Sequence, residues 1–196
     1  MIDTGPLSFY HDRNKAEDYI EMRRGIDGRI LVSALRSLIA DGSRVLELGI
    51  GPGTDLRILA EFFEVVGSDY SPWFLEIFST AYPGIDLLRL DAVTIETDLA
   101  FDCIFSNKVL HHLPEEQMKR SLERQARVVG KGGILFHSFW LGDESSTCEG
   151  LTFTKYPEEK IASVLSNVGE IVKSGRYQEM NLNDSFFAAV RITEQC

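Results

Sequence analysis

The segment Glu47-Leu48-Gly49-Ile50-Gly51-Pro52-Gly53-Thr54 places a carboxylate and three glycines in one short stretch, and a second carboxylate, Asp69, follows twenty positions after Gly49. Glycines adopt backbone conformations closed to other residues and let a ligand approach the main chain. An acid at the end of the next strand can accept hydrogen bonds from both hydroxyls of a ribose. Strand, glycine-rich turn, helix, strand and acid, in that order, is the context of a nucleoside-containing cofactor. The spacing here is G-x-G-x-G, with Thr54 where the dinucleotide pattern G-x-G-x-x-G continues differently. Pro52 has no N–H to offer a pyrophosphate at the start of the helix. The loop therefore suits a ligand that lacks a pyrophosphate.

Those residues need a scaffold, and the chain alternates strand and helix patterns around them. Leu31, Ala34, Leu35 and Leu38 have helical spacing, with an end near Ile39 before Asp41-Gly42 breaks the chain. Val45-Leu46-Glu47-Leu48 reads as a strand ending in Gly49. Leu56, Leu59, Ala60 and Phe63 read as a helix capped by Thr54 or Asp55. Glu64 to Ser68 reads as a second strand. Ser71 then caps a helix with Pro72 at its first position, and Trp73, Phe74, Ile77 and Phe78 form its apolar face. Further strands are expected at Asp86–Leu90, Phe101–Ser106 and Ile134–Phe139. Met118, Leu122, Ala126 and Val129 mark a helix stopped by Gly130-Lys131-Gly132-Gly133, and Pro157–Val168 marks another. The β-like stretches Glu170–Tyr177 and Phe186–Ile192 are spaced as a terminal hairpin. Apolar strands alternating with helices imply an α/β fold, a mostly parallel sheet covered on both faces, with an antiparallel strand added by the closing pair.

Composition narrows the function. Lys plus Arg is 20 and Asp plus Glu is 30, so 20 − 30 gives a net charge of −10. That balance opposes a phosphate backbone, which attracts Lys/Arg surfaces, and disfavours nucleic acid as a partner. The basic cluster Lys119, Arg120, Arg124, Arg127 and Lys131, with Glu123 interleaved, reads as a solvated helix face. No apolar run approaches the ~18 residues of a membrane span. Met1-Ile2-Asp3-Thr4-Gly5-Pro6 lacks the basic and apolar regions of a signal peptide. Cys103, Cys148 and Cys196 are far apart and form no C-x-x-C pair, so neither a metal site nor a disulfide framework is indicated and a cytoplasmic location is expected. Oligomeric state leaves no sequence signal.

The ordered motifs from Val45 to Phe139 resemble the class I S-adenosylmethionine-dependent methyltransferases. Val45-Leu46-Glu47-Leu48-Gly49-Ile50-Gly51-Pro52-Gly53 is similar to the family's first motif. Val66-Gly67-Ser68-Asp69-Tyr70-Ser71 is similar to the second, Leu88-Arg89-Leu90-Asp91-Ala92 to the third, and Phe101-Asp102-Cys103-Ile104-Phe105-Ser106-Asn107 to the fourth. The following Lys108-Val109-Leu110-His111-His112-Leu113 resembles the small-molecule branch. Val129-Gly130-Lys131-Gly132-Gly133-Ile134 resembles the family's Lys-Pro-Gly-Gly turn with Gly in place of Pro.

The resemblance implies a Rossmann-like, doubly wound sheet of seven strands and a single methyltransferase domain over 1–196. N-terminal lid helices would occupy 1–40, the cofactor-binding core 41–140, and a substrate loop, helix and terminal hairpin 141–196. It implies S-adenosylmethionine as cofactor and S-adenosylhomocysteine as product. Gly49, Ile50 and Gly51 would present backbone to the methionine part and Glu47 would reach its ammonium. Asp69 would bind the ribose, with Tyr70, Asp91 and Ala92 at the adenine and Ser106 and Asn107 below the sulfonium. Tyr10, Tyr19, Arg23 and Arg24 resemble a lid that contacts the methionine carboxylate. Trp140 and Tyr156, with Glu149-Gly150-Leu151 between them, fall where this fold places substrate contacts.

Methyl transfer from a sulfonium is a direct displacement in which the protein mainly supplies alignment. A base is needed only if the nucleophile carries a proton, and His111 after the fourth strand is the residue placed for it, with His137 on the fifth. Plainer roles compete: Asp69 as a cap of the Ser71 helix, Asp91 as a turn residue, His111 and His112 as structural histidines, Trp140 and Tyr156 as core aromatics. The expected activity is methyl transfer to a small-molecule acceptor. A nucleic-acid amino-group methyltransferase is disfavoured because Ser106-Asn107-Lys108-Val109 stands where that branch carries Asn/Asp-Pro-Pro-aromatic. A nicotinamide-dependent oxidoreductase is disfavoured by the glycine spacing. The non-enzyme alternative is a regulatory or scaffolding protein that binds S-adenosylmethionine without turnover.

Overall fold

A computed structural model describes residues 12–148 and 151–193. The N-terminal hexapeptide, Tyr10, Glu149-Gly150 and Cys196 lie outside the described residues.

The elements run α1 (Arg13–Met22), α2 (Arg29–Leu35), β1 (Arg44–Leu48), α3 (Thr54–Leu59), β2 (Glu64–Asp69), α4 (Pro72–Ala81), β3 (Asp86–Arg89), β4 (Cys103–Asn107), a 3-10 turn (Leu110–His112), α5 (Glu115–Val129), β5 (Ile134–Trp140), β6 (Ser145–Cys148), β7 (Leu151–Thr154), α6 (Glu158–Leu165), β8 (Glu170–Tyr177) and β9 (Ser185–Arg191). The main sheet has seven strands in the order β3-β2-β1-β4-β5-β9-β8, and β6 and β7 form a separate two-stranded sheet. Strands β1 to β5 pair in parallel. β9 is antiparallel to both neighbours, β5 and β8. The fold is a Rossmann-like α/β sheet with one antiparallel strand.

Alternation along the strands explains why both faces are covered. Leu46, Ile104, Leu135 and Val190 point to one side, where Leu122 and Ala126 of α5 and Ile161 and Leu165 of α6 complete the core. Val45, Cys103, Phe105 and Phe136 point to the other, against Leu31 and Leu35 of α2 and Leu59 of α3. Each fully buried Leu or Phe contributes about 1.5–3 kcal/mol. Cys103 is one of these core residues, and burial pushes its thiol pKa up.

α2 ends at Leu35, short of the expected Ile39. Neither Thr54 nor Asp55 caps α3. Its N-cap is Gly53 at φ +74°, with no side-chain cap. The β6–β7 hairpin stands where the sequence pattern offers only a loop. At α4 the expected position holds, with Ser71 as N-cap and Pro72 just inside, although the Ser71 side chain makes no capping hydrogen bond.

The strand order reverses at β1, which has β2 on one side and β4 on the other. Ligands of open α/β sheets bind outside the carboxyl ends of the strands at such a point. The turn after β1 is fixed there, because Gly49 and Ile50 both donate backbone N–H to Ser68 O on β2 (2.8 and 3.0 Å). α1 lies across the opening. It packs on α4 through Tyr19 and Phe74, whose ring centroids are 5.9 Å apart.

Candidate active site

Three adjoining clefts meet at Tyr19 of α1. The first is lined by Gly49, Asp69, Tyr70, Ala92, Asn107, Lys108 and Val109, among others. The second is lined by Glu47, Ile50, Gly51, Asp55 and Arg23. The third lies between α1, the 3-10 turn, the end of β5 and β7.

Asp69 is anchored by backbone. Its Oδ2 accepts the N–H of Gly51 (3.0 Å) and its Oδ1 the N–H of Ser71 (2.8 Å). It thus joins the glycine loop to the start of α4 and does the capping work as well as facing the cleft. Burial pushes its pKa up to about 6 against the pull of those N–H groups. Glu47 is buried, and its Oε2 has no hydrogen-bond partner among the described residues. Burial and the nearby charges of Asp55 and Asp69 raise its pKa well above the usual value. Asp55 accepts from Gly28 N–H (2.7 Å) and Asn107 Nδ2 (2.8 Å), and burial raises its pKa too. Three carboxylates around two joined clefts, Glu47 buried with an orphaned oxygen and Asp55 and Asp69 partly buried, make a site that suits a ligand with positive charge and hydroxyl donors.

Gly49 has φ +71°, and a Cβ there would lie 2.6 Å from Val109. The position needs glycine for conformation and for space.

Not every residue expected at the site faces it. Ser106 is fully buried and bonds His137 Nδ1 at 2.8 Å, so both are core groups; burial pulls the His137 pKa down to about 3. Asp91 caps a turn by accepting the N–H of Val93 and Thr94, while its neighbour Ala92 lines the first cleft. Arg24 is exposed and paired with Glu21 at 2.7 Å. The arginine that turns inward is Arg23, which is bonded to Glu179 and lines the second and third clefts. Tyr156 packs in the core and lines none of the three clefts. His111 and Trp140 do line the third.

Lys108 escaped the sequence reading. It follows Asn107 at φ +59°, a left-handed conformation that costs a non-glycine residue about 1 kcal/mol or more. Its side chain turns into the protein, with Nζ donating to Phe139 O (2.8 Å) and Ser185 Oγ (2.7 Å) and lying 3.8 Å from the centre of the Trp140 ring. Burial pulls its pKa down to about 7, opposed by Glu179 and Asp184. Its place at a strand end before Val109-Leu110 carries no local sign of that burial.

Residues 45–133 match the family model described as "Methyltransferase domain". A tRNA (carboxymethyluridine(34)-5-O)-methyltransferase from Arabidopsis thaliana is 30% identical over 169 residues, covering 83% of this chain and 39% of that protein. A trans-aconitate 2-methyltransferase from Methylobacterium radiotolerans is 34% identical over 93 residues, covering 46% and 35%. The chain spans about two fifths of the length of the curated relatives it matches. The crystal structure of Burkholderia thailandensis 1,6-didemethyltoxoflavin-N1-methyltransferase, with 1,6-didemethyltoxoflavin and S-adenosylhomocysteine bound, superposes with a TM-score of 0.77 at 17% identity, covering 95% of this chain and 84% of that one. The fold, the ordered motifs and the family match together define a class I S-adenosylmethionine-dependent methyltransferase domain.

Proposed function

We propose that the protein moves the methyl group of S-adenosylmethionine to a small-molecule acceptor, releasing S-adenosylhomocysteine. The observation that carries this reading is the pair Asp69 and Glu47 in joined clefts at the carboxyl ends of β1 and β2, one carboxylate fixed by backbone and one with an oxygen unpartnered. When bound, the cofactor supplies a methyl group already activated on a sulfonium. Asp69 accepts from the ribose hydroxyls, and Glu47 faces the ammonium. Gly49 and Gly51 admit the methionine part, Arg23 is placed for its carboxylate, and Tyr70 and Ala92 border the adenine. Tyr19 closes over the three clefts and keeps water from the reacting atoms. An acidic chain of net charge −10 favours a small acceptor over a nucleic acid, and no helix among the described residues is long and apolar enough to cross a membrane. A cytoplasmic location goes with that reading.

Calorimetric titration with S-adenosylmethionine, S-adenosylhomocysteine and NADH tests it. Micromolar binding of the two adenosyl ligands with none of NADH is expected; binding of NADH alone overturns the reading.

The raised carboxylate pKa values add a pH signature. Ribose hydroxyls and a ligand cation stabilise the ionised forms, so binding lowers the pKa of Asp69 from about 6 and releases protons. Affinity should be full above that value and fall about tenfold per pH unit below it for one proton, more steeply if Glu47 contributes a second. Titrations at several pH values, each in two buffers of different ionisation heat, read this out, and a flat profile contradicts it. In the free protein Asp69 acts in the opposite sense. Its folded pKa lies above the unfolded one, so its stabilising contribution is present at low pH and is lost as pH rises through about 6.

A further inference from the structure

Two arginines stand side by side at the end of α1 and go opposite ways. Arg24 is exposed and pairs with Glu21 of the same helix. Arg23 turns inward, its side chain 16% exposed, and bonds through Nη1 to Oε1 of Glu179, whose side chain is 5% exposed. A guanidinium presents its N–H donors in a rigid fork, and this bond uses one side of it. The rest of the fork is left to the second cleft, which Arg23 lines beside Glu47, Gly49 and Gly51. Glu179 lines none of the three clefts. It therefore braces the guanidinium without forming a wall of the second cleft.

Glu179 is itself held from several directions. The turn after β8 is organised by Asp184, whose Oδ1 accepts the Glu179 N–H (3.0 Å) and whose Oδ2 accepts those of Met180 (2.9 Å) and Asn181 (2.7 Å). The other carboxylate oxygen of Glu179, Oε2, has the Tyr177 hydroxyl at 3.4 Å and Lys108 Nζ at 3.7 Å. Lys108 Nζ is in turn fixed by Phe139 O and Ser185 Oγ. Burying a carboxylate costs free energy unless it is paired and hydrogen-bonded, and a buried pair adds little net stability over apolar residues of the same volume. What such a pair can supply in return is a fixed geometry.

We propose that Glu179 is a positioning residue of the cofactor site, holding Arg23 turned inward so that the other side of the guanidinium meets the carboxylate of the methionine part. This rests on the reading of the second cleft as the methionine end of the S-adenosylmethionine site. Arg23 sits at the C-terminal end of a helix that lies across the opening. The ordinary course of an arginine there is toward water, which Arg24 takes. Turning inward only on binding would cost the rotamer freedom of a long side chain. Glu179 removes that cost before the ligand arrives, and the affinity gained is confined to ligands that carry the carboxylate. The same bond ties the end of α1 to the β8–β9 turn, so two segments far apart in the chain close the methionine end together.

The test compares S-adenosylhomocysteine with 5′-(3-aminopropylthio)-5′-deoxyadenosine, which keeps the adenosine, the sulfur and the ammonium and lacks only the carboxylate. Calorimetry on the wild type should show S-adenosylhomocysteine binding about tenfold or more tightly than this amine, the size expected of a hydrogen bond to a charged group. In Glu179→Ala the preference should fall to about threefold or less, while the affinity for the amine stays within about threefold of the wild type. Glu179→Leu repeats the measurement with more of the side-chain volume retained. Circular dichroism and thermal melts check that both variants fold, and either one suffices. A role in holding the structure alone would weaken both ligands equally. That result, a preference as large as or larger than in the wild type, or a wild type that does not distinguish the two ligands overturns the assignment of Glu179 and leaves the cofactor reading intact. Failure of S-adenosylhomocysteine to bind the wild type removes the cofactor reading instead.

Discussion

Asp69→Ala should lose S-adenosylmethionine affinity by about 100-fold or more at pH 8. The carboxylate is ionised there, and its hydrogen bonds to ligand hydroxyls are charge-assisted, contributing roughly 1.5–3 kcal/mol each. Two such bonds amount to about 3–6 kcal/mol, of which solvent screening in a partly open cleft removes a share. The variant also deprives the N–H groups of Gly51 and Ser71 of their acceptor. The glycine loop and the start of α4 then lose their common anchor, which adds to the loss. Calorimetry with S-adenosylhomocysteine checks the magnitude, and retention of affinity within threefold would mean that Asp69 serves only as a cap. The pH dependence separates the two roles further, because the variant should lose the decline near pH 6 that the wild type shows.

Gly53→Ala should destabilise the protein by about 2–5 kcal/mol, or a melting temperature lower by roughly 5–15 °C. Two costs add. Gly53 has φ +74°, where a side chain costs about 1–2 kcal/mol. A Cβ there would also lie 2.0 Å from the ring of Phe78, which is buried against Ile50 and Leu56 and has Tyr82 beside it at 4.8 Å between ring centroids. The ring has no room to retreat, so α4 or the loop must move, and the cofactor clefts move with it. Gly84→Ala is the matched control. Nothing lies within 4 Å of its Cβ, and its melting temperature should stay within about 2 °C of the wild type.

Much of this architecture is written locally. The runs Val45–Leu48 and Ile134–Phe139 are largely apolar on both faces, Glu47, His137 and Ser138 apart, as strands covered on both sides are. Pro72 marks the helix start locally, by its fixed φ and missing N–H, and Ser71 is the N-cap although its side chain makes no capping bond. Tertiary context decided the rest. Thr54 and Asp55 look like caps, yet Asp55 is drawn away to Gly28 and Asn107, contacts 27 and 52 positions distant. Ser106 and Asn107 are adjacent on one strand, so only one of them can face the cleft. Their alternation is legible, but its phase depends on where the strand sits. Arg23 and Arg24 pose the same question at a helix end, and Glu179, 156 positions further on, answers it for Arg23. β6, of sequence Ser-Ser-Thr-Cys, has no apolar alternation to announce it. Lys108 is the largest omission, because a lysine's ordinary place is the surface and nothing local indicates an aromatic cage made by β5 and β8.

The position of β9 has a consequence for how the sheet is built during synthesis. β5 and β8 run in the same direction with α6 between them, yet they are not neighbours, since β9 lies between them. A growing chain exposes β5 and then β8 before the strand that separates them has been made. Until residues 185–191 are made, β5 lacks one of its two partners and β8 lacks the partner it has in the finished sheet. The last strand must therefore enter an interior slot rather than add to a rim. Substitutions that weaken β9 should therefore reduce the yield of folded protein in cells more than their effect on the melting temperature of the purified protein would suggest, which soluble yield measured beside thermal melts checks.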